Sequence, residues 1–169
     1  MVKSTTSGAT GPLSASLADT EQALRASEAQ LRSIIETVPD ALILIDERSL
    51  IQSFSPAAER LFGYRAAEAL GRNVSLLMPS PYREQHDGYL AHYFDTGERR
   101  IIGIGRVVVG QRADGSTFPM ELQVGEVKLG ERRLFTGFVR DITERQSTRQ
   151  RLQELQSELV RASRLSAMG

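Results

Sequence analysis

Between Ile101 and Ile142 the chain carries three β-rich runs, IIGIGRVVVG, STFPMELQVGEV and RRLFTGFVRDI, separated by turn signals at Asp114-Gly115 and Gly130. Connections this short join antiparallel neighbours, because a parallel crossover needs a dozen or more residues. The three runs therefore predict an antiparallel meander. In the middle run Phe118, Met120, Leu122 and Val124 alternate with Pro119, Glu121 and Gln123, which gives the sheet one strongly apolar face. Such a face has to be covered by another layer.

The covering elements precede the meander. ALILID (Ala41 to Asp46) and LIQSFS (Leu50 to Ser55) read as a hairpin joined by the polar Glu47, Arg48 and Ser49. Ser55 and Pro56 supply a helix cap and a first helical position for PAAERLFGY, and Gly63 supplies its stop. A second short helix, AAEAL, ends at Gly71. The segment from Leu76 to Gly97 predicts the longest helix of this part, started by Pro81 and closed by Gly97. Together these elements predict an α+β domain over residues 39–143: a five-stranded antiparallel sheet with short helices on one face.

Different patterns flank the domain. Residues 1–12 are rich in Ser, Thr, Gly and Ala and predict a disordered leader. Over residues 13–38, Leu17, Leu24, Leu31 and Val38 fall seven apart, the narrow stripe of a coiled-coil helix that Pro39 ends. Over residues 144–169, Leu152, Leu155, Leu159 and Ala162 continue a similar stripe in an otherwise polar helix. A helix of that kind wants a partner, most simply its own copy, so the terminal helices predict a homodimer. The pattern breaks off at Gly169 inside a helical stretch, as expected if an effector lies beyond it.

Composition narrows the function. The chain has no cysteine, which removes disulfides, thiolate metal sites, cysteine nucleophiles and flavin–cysteine photoadducts. Its 21 basic and 21 acidic residues balance, so no basic field favours nucleic acid. No run approaches the ~18 apolar residues of a membrane helix. The polar start lacks a secretory pattern, and a cytoplasmic location is expected. There is no GxSxG elbow and no GxxxxGK[ST] loop, and no catalytic set can be named.

The two histidines separate by helical phase. His86 lies four residues after Tyr82 and three and four before Tyr89 and Leu90, on the stripe facing the sheet; His92 looks elsewhere. A lone inward histidine is usually a hydrogen-bonded core residue, and it cannot hold a bare metal ion by itself. Haem iron is different, since it needs one proximal histidine and brings four equatorial nitrogens. Gly103 and Gly105 present bare backbone among Ile101, Ile102 and Ile104, where a flat ligand could approach. Arg106 interrupts the apolar run from Ile101 to Val109. Facing inward it needs an anion or polar ligand; facing outward it carries no message, and period-2 parity leaves both open.

The order of elements, SPAAERLFGY after the hairpin, ADGSTFPMEL in the meander and GFVRDITER before the last helix resemble PAS sensor domains over residues 34–144. LMP, RxxHDxY, IIGIGR and FTGFVRDIT resemble more narrowly the haem-binding PAS domains of bacterial oxygen-sensing histidine kinases. That resemblance implies haem b with His86 as the axial iron ligand and Arg106 as distal donor to a diatomic gas. It also implies a lining of Tyr89, Ile101, Met120, Leu122 and Val124. The propionate-contacting positions are held here by His92 and Arg100, with the two residue types exchanged. A kinase domain and a response regulator are the implied downstream partners. The alternative is a haem-free PAS module for dimerisation and signal relay.

Overall fold

A computed structural model describes residues 12–86, 88 and 105–168. The chain divides into two compact units at Thr37/Val38. The first holds helix α1 (Pro12–Thr37). The second holds strands β1 (Ala41–Ile45), β2 (Ile51–Phe54), β3 (Arg106–Gln111), β4 (Thr117–Leu129) and β5 (Arg132–Asp141). It also holds helices α2 (Pro56–Phe62), α3 (Ala66–Ala69) and α4 (Thr143–Met168), and a 3-10 turn at Val74–Leu77. The five strands form one antiparallel sheet in the order β2-β1-β5-β4-β3. The meander is present, and the N-terminal hairpin joins it through β1 and β5.

The sheet's inner face is set by alternation. Ala41, Ile43 and Ile45 are buried in β1, Phe118 and Met120 in β4, and Phe135 and Val139 in β5. Strand β2 departs from strict alternation: Ile51 and Phe54 are three apart yet both buried. A register shift at Leu44/Ile45 pairs Ile45 with Ile51 while Ile43 pairs with Phe54, so an extra residue brings both side chains inward.

Helix α2 starts as its sequence dictates. The Ser55 hydroxyl accepts from Ala58 N at 3.2 Å and also from Leu42 N at 2.9 Å, so the cap ties the helix to β1. At its other end Gly63 adopts φ 79°. The β3–β4 turn takes up carbonyls there: Ala113 N donates to Phe62 O at 2.8 Å and Arg112 Nε to Leu61 O at 3.2 Å. Phe62 is fully buried, 6.2 Å from the Phe54 ring and 5.6 Å from that of Phe118.

One loop residue differs from expectation. Ser49, read as part of a polar connection, is buried and has φ 64°. Asp46 Oδ1 accepts from the backbone N–H of Arg48 and Leu50, which tightens the turn. Ser49 O then accepts from Val74 N at 2.8 Å, and an isolated bridge joins Leu50 to Asn73. The residues after α3 thereby cover the free edge of β2. The predicted long helix has helical residues 82–86 and 88; the rest of it lies outside the described residues.

Candidate functional site

The inner face of the sheet and the residues at 74–86 enclose a cavity of about 70 Å³. Its sheet wall comes from Ile43, Ile45, Met120, Leu122, Val124, Phe135, Gly137 and Val139; Phe62, Val74, Leu77, Met78 and His86 close it. Among the described residues His86 is the one lining residue with a hydrogen-bonding side chain, and its Nδ1 is buried. Gly137 lies in mid-sheet with Leu122 Cδ1 3.6 Å from where a Cβ would stand, so a side chain here would fill the cavity floor.

Register decides the question that parity left open for Arg106. Residues directly opposed in an antiparallel pair place their side chains on the same face. Arg106 pairs with Leu122, Val108 with Met120 and Gly110 with Phe118. Arg106 therefore stands on the cavity face at the start of the edge strand, at a position exposed to solvent. Val107, 64% exposed, belongs to the other face.

The same alternation corrects the reading of Gly105. A Cβ there would lie 3.0 Å from Glu121 Oε1 and near the Gln123 side chain, both on the sheet's outer face. Its bare backbone thus opens toward polar side chains and away from the cavity. Met120, Leu122 and Val124 line the cavity as the sequence suggests. Tyr89, His92, Arg100, Ile101 and Gly103 lie outside the described residues. Tyr82, placed with His86 on the inward stripe, is 50% exposed at the start of its helical turn.

A haem group can be tested against this lining. Among the described residues no three His, Asp or Glu side chains come together as a metal site. A single imidazole on an apolar wall suits a cofactor that brings its own equatorial nitrogens, so the donor chemistry fits. The volume is smaller than the ~300 Å³ and more of ordinary ligand pockets, so admitting a macrocycle requires the wall facing the sheet to move outward.

A second constellation, absent from the sequence reading, joins the hydrophobic core to α4. The Arg112 guanidinium lies 4.1 Å over the Phe118 ring, and its Nη2 donates to Asp141 Oδ2 at 3.1 Å. Asp141 Oδ1 in turn accepts from Thr143 N at 2.9 Å and Thr143 Oγ1 at 2.5 Å, holding the first turn of α4. The Asp-Ile-Thr spacing ahead of a helix is a capping signal that could have been read; the reach of Arg112 across 29 residues was not readable. On the adjacent residue, Arg140 donates twice to the Asp40 carboxylate, at 2.9 and 2.8 Å. That pairing raises the Arg140 pKa above its ordinary value.

A PAS fold model matches residues 29–142. The chain belongs to the PAS family. This PAS chain is 60% identical over 149 residues to the sensor protein FixL of Bradyrhizobium diazoefficiens, covering 88% of this chain and 30% of that protein. It is 34% identical over 143 residues to the cell-division control histidine kinase PdhS of Brucella ovis, covering 85% of this chain and 14% of that one. The PAS domain of an HTR-like protein from Haloarcula marismortui superposes with a TM-score of 0.60 at 23% identity, over 73% of this chain and 98% of that one. An RNA-binding Light-Oxygen-Voltage receptor gives 0.61 at 24% identity, over 93% and 41%. Those two likenesses establish the PAS fold, and the chain spans under a third of the two sequence relatives. Among the described residues no helix is long and apolar enough to cross a membrane.

Proposed function

We propose that this PAS domain is the sensory part of a cytoplasmic two-component histidine kinase, binding haem b through His86 and detecting oxygen or another diatomic gas. The observation that supports this reading is that His86 lines an apolar cavity whose sheet face also carries the Arg106 position at its edge. When bound, haem iron supplies reversible coordination of a small gas. His86 offers the axial nitrogen. Met120, Leu122 and Val124 exclude water from the sheet side. Arg106, always charged and forked, offers a donor at the rim of the same face. His92, Arg100, Tyr89 and Ile101 complete the proposed set.

The output route follows the last strand. Val139 lines the cavity, and two residues on Asp141 caps α4, so a shift of β5 reaches the first helical turn. Such a shift can rotate or slide α4, which in a homodimer joined through the terminal helices a kinase domain could read before a response regulator receives the signal.

The small cavity favours a second reading, a haem-free module for dimerisation and relay whose core is filled by side chains. One experiment separates the two. The purified 169-residue chain, supplied with haem, is expected to show a Soret band that moves with oxygen or carbon monoxide and is lost in His86→Ala. A colourless, folded dimer that takes up no haem and tolerates His86→Leu overturns the sensor reading.

A further inference from the structure

Among the described residues, the helical turn 82–86 that presents His86 is tied to the sheet by a polar side chain. Pro81 through Gln85 are all exposed, so little apolar surface pins the turn in place. Arg83 makes that tie. Its Nε donates to Met78 O at 3.0 Å and its Nη2 to Gln111 Oε1 at 2.6 Å, while its backbone N–H donates to Pro79 O at 3.1 Å. Gln111 in turn donates from Nε2 to Gly115 O at 3.3 Å. A planar guanidinium with donors in two directions fixes both partners at once. Met78 lines the cavity, Gln111 ends strand β3, and His86 follows Arg83 by three residues, just under one helical turn.

Resting on the reading of His86 as an axial ligand, we infer that Arg83 is a positioning residue: by bridging Met78 to Gln111 it sets where the His86 imidazole stands over the apolar sheet face. The bridge also places His86 in mechanical contact with the strand that begins at Arg106. Arg106 and Gln111 stand five residue steps apart along β3, about 17 Å at ~3.4 Å per step. The two polar groups of the proposed site are thereby tied to opposite ends of one edge strand.

Two measurements on the full chain test this. In the haem-free protein, amide hydrogen exchange at 82–86 is expected to quicken about tenfold in Gln111→Leu, which loses one charge-assisted bond, and by more in Arg83→Ala, which also loses the bond to Met78 O. The double variant is expected to be no faster than Arg83→Ala alone, and β4 and β5 to be unchanged. Unchanged exchange in both single variants overturns the bridge. In the haem-loaded protein, both variants are expected to lose haem faster to an excess of apomyoglobin and to shift the iron–histidine stretching band, with Arg83→Lys intermediate. Faster exchange with an unmoved band overturns positioning. A wild type that takes up no haem overturns the sensor reading instead, while the exchange data still decide whether Arg83 holds the histidine turn.

Discussion

The sheet with its short helices and the two long terminal helices solve the problem of stability in opposite ways. The former bury Phe54, Phe62, Phe118, Met120 and Phe135 in one cluster. The latter, 26 residues each, hold no buried residue among those described; Leu17, Leu24 and Leu31 of α1 and Leu152, Leu155 and Leu159 of α4 are all exposed. Helical hydrogen bonds alone give marginal stability in water. Among the described residues, then, the sheet and its short helices bury their apolar side chains within one chain, whereas the long helices leave their apolar stripes exposed.

The largest expected effect falls on the core. Phe62→Ala removes a fully buried ring between two others and is expected to cost about 3–5 kcal/mol in denaturant unfolding, with the sheet and α4 signals lost together. A loss below ~1 kcal/mol would mean the core tolerates the void. The junction between the two regions comes next. Arg112→Ala breaks the bond to Asp141 and is expected to cost roughly 1–2 kcal/mol, with faster amide exchange in the first turn of α4 and little change in β1. Equal exchange everywhere would remove Arg112 from the output path. The smallest effect on the folded chain is expected from Leu155→Ala, within about 0.5 kcal/mol because the residue is exposed. Its association constant, by sedimentation equilibrium, is expected to fall about tenfold or more if α4 pairs with its copy. A wild type that stays monomeric at every concentration ends the proposed dimer.

The fold was largely readable because its signals are local. Turn residues at Asp114-Gly115 and Gly130, the Ser55-Pro56 start and Gly63 stop of α2, and the alternation through Phe118 and Val124 each act within a few residues. His86 lines the cavity as its inward placement expects, but Tyr82 of the same stripe is exposed and Tyr89 and Leu90 lie outside the described residues. Arg83 lies inside the RxxHDxY motif, but its role is not legible there because its partner Gln111 is 28 residues away.

The sequence by itself determined which segments are strands, where they turn and that one sheet face is apolar, because those properties follow from short-range sterics and side-chain period. Tertiary structure alone decided which face Arg106 occupies, that Ser49 is buried and that Gly105 opens away from the cavity. A strand's period of two assigns faces only relative to a register, and register is set by the partner strand. The pairing of Arg106 with Leu122 therefore turns an ambiguous arginine into a residue of the cavity face.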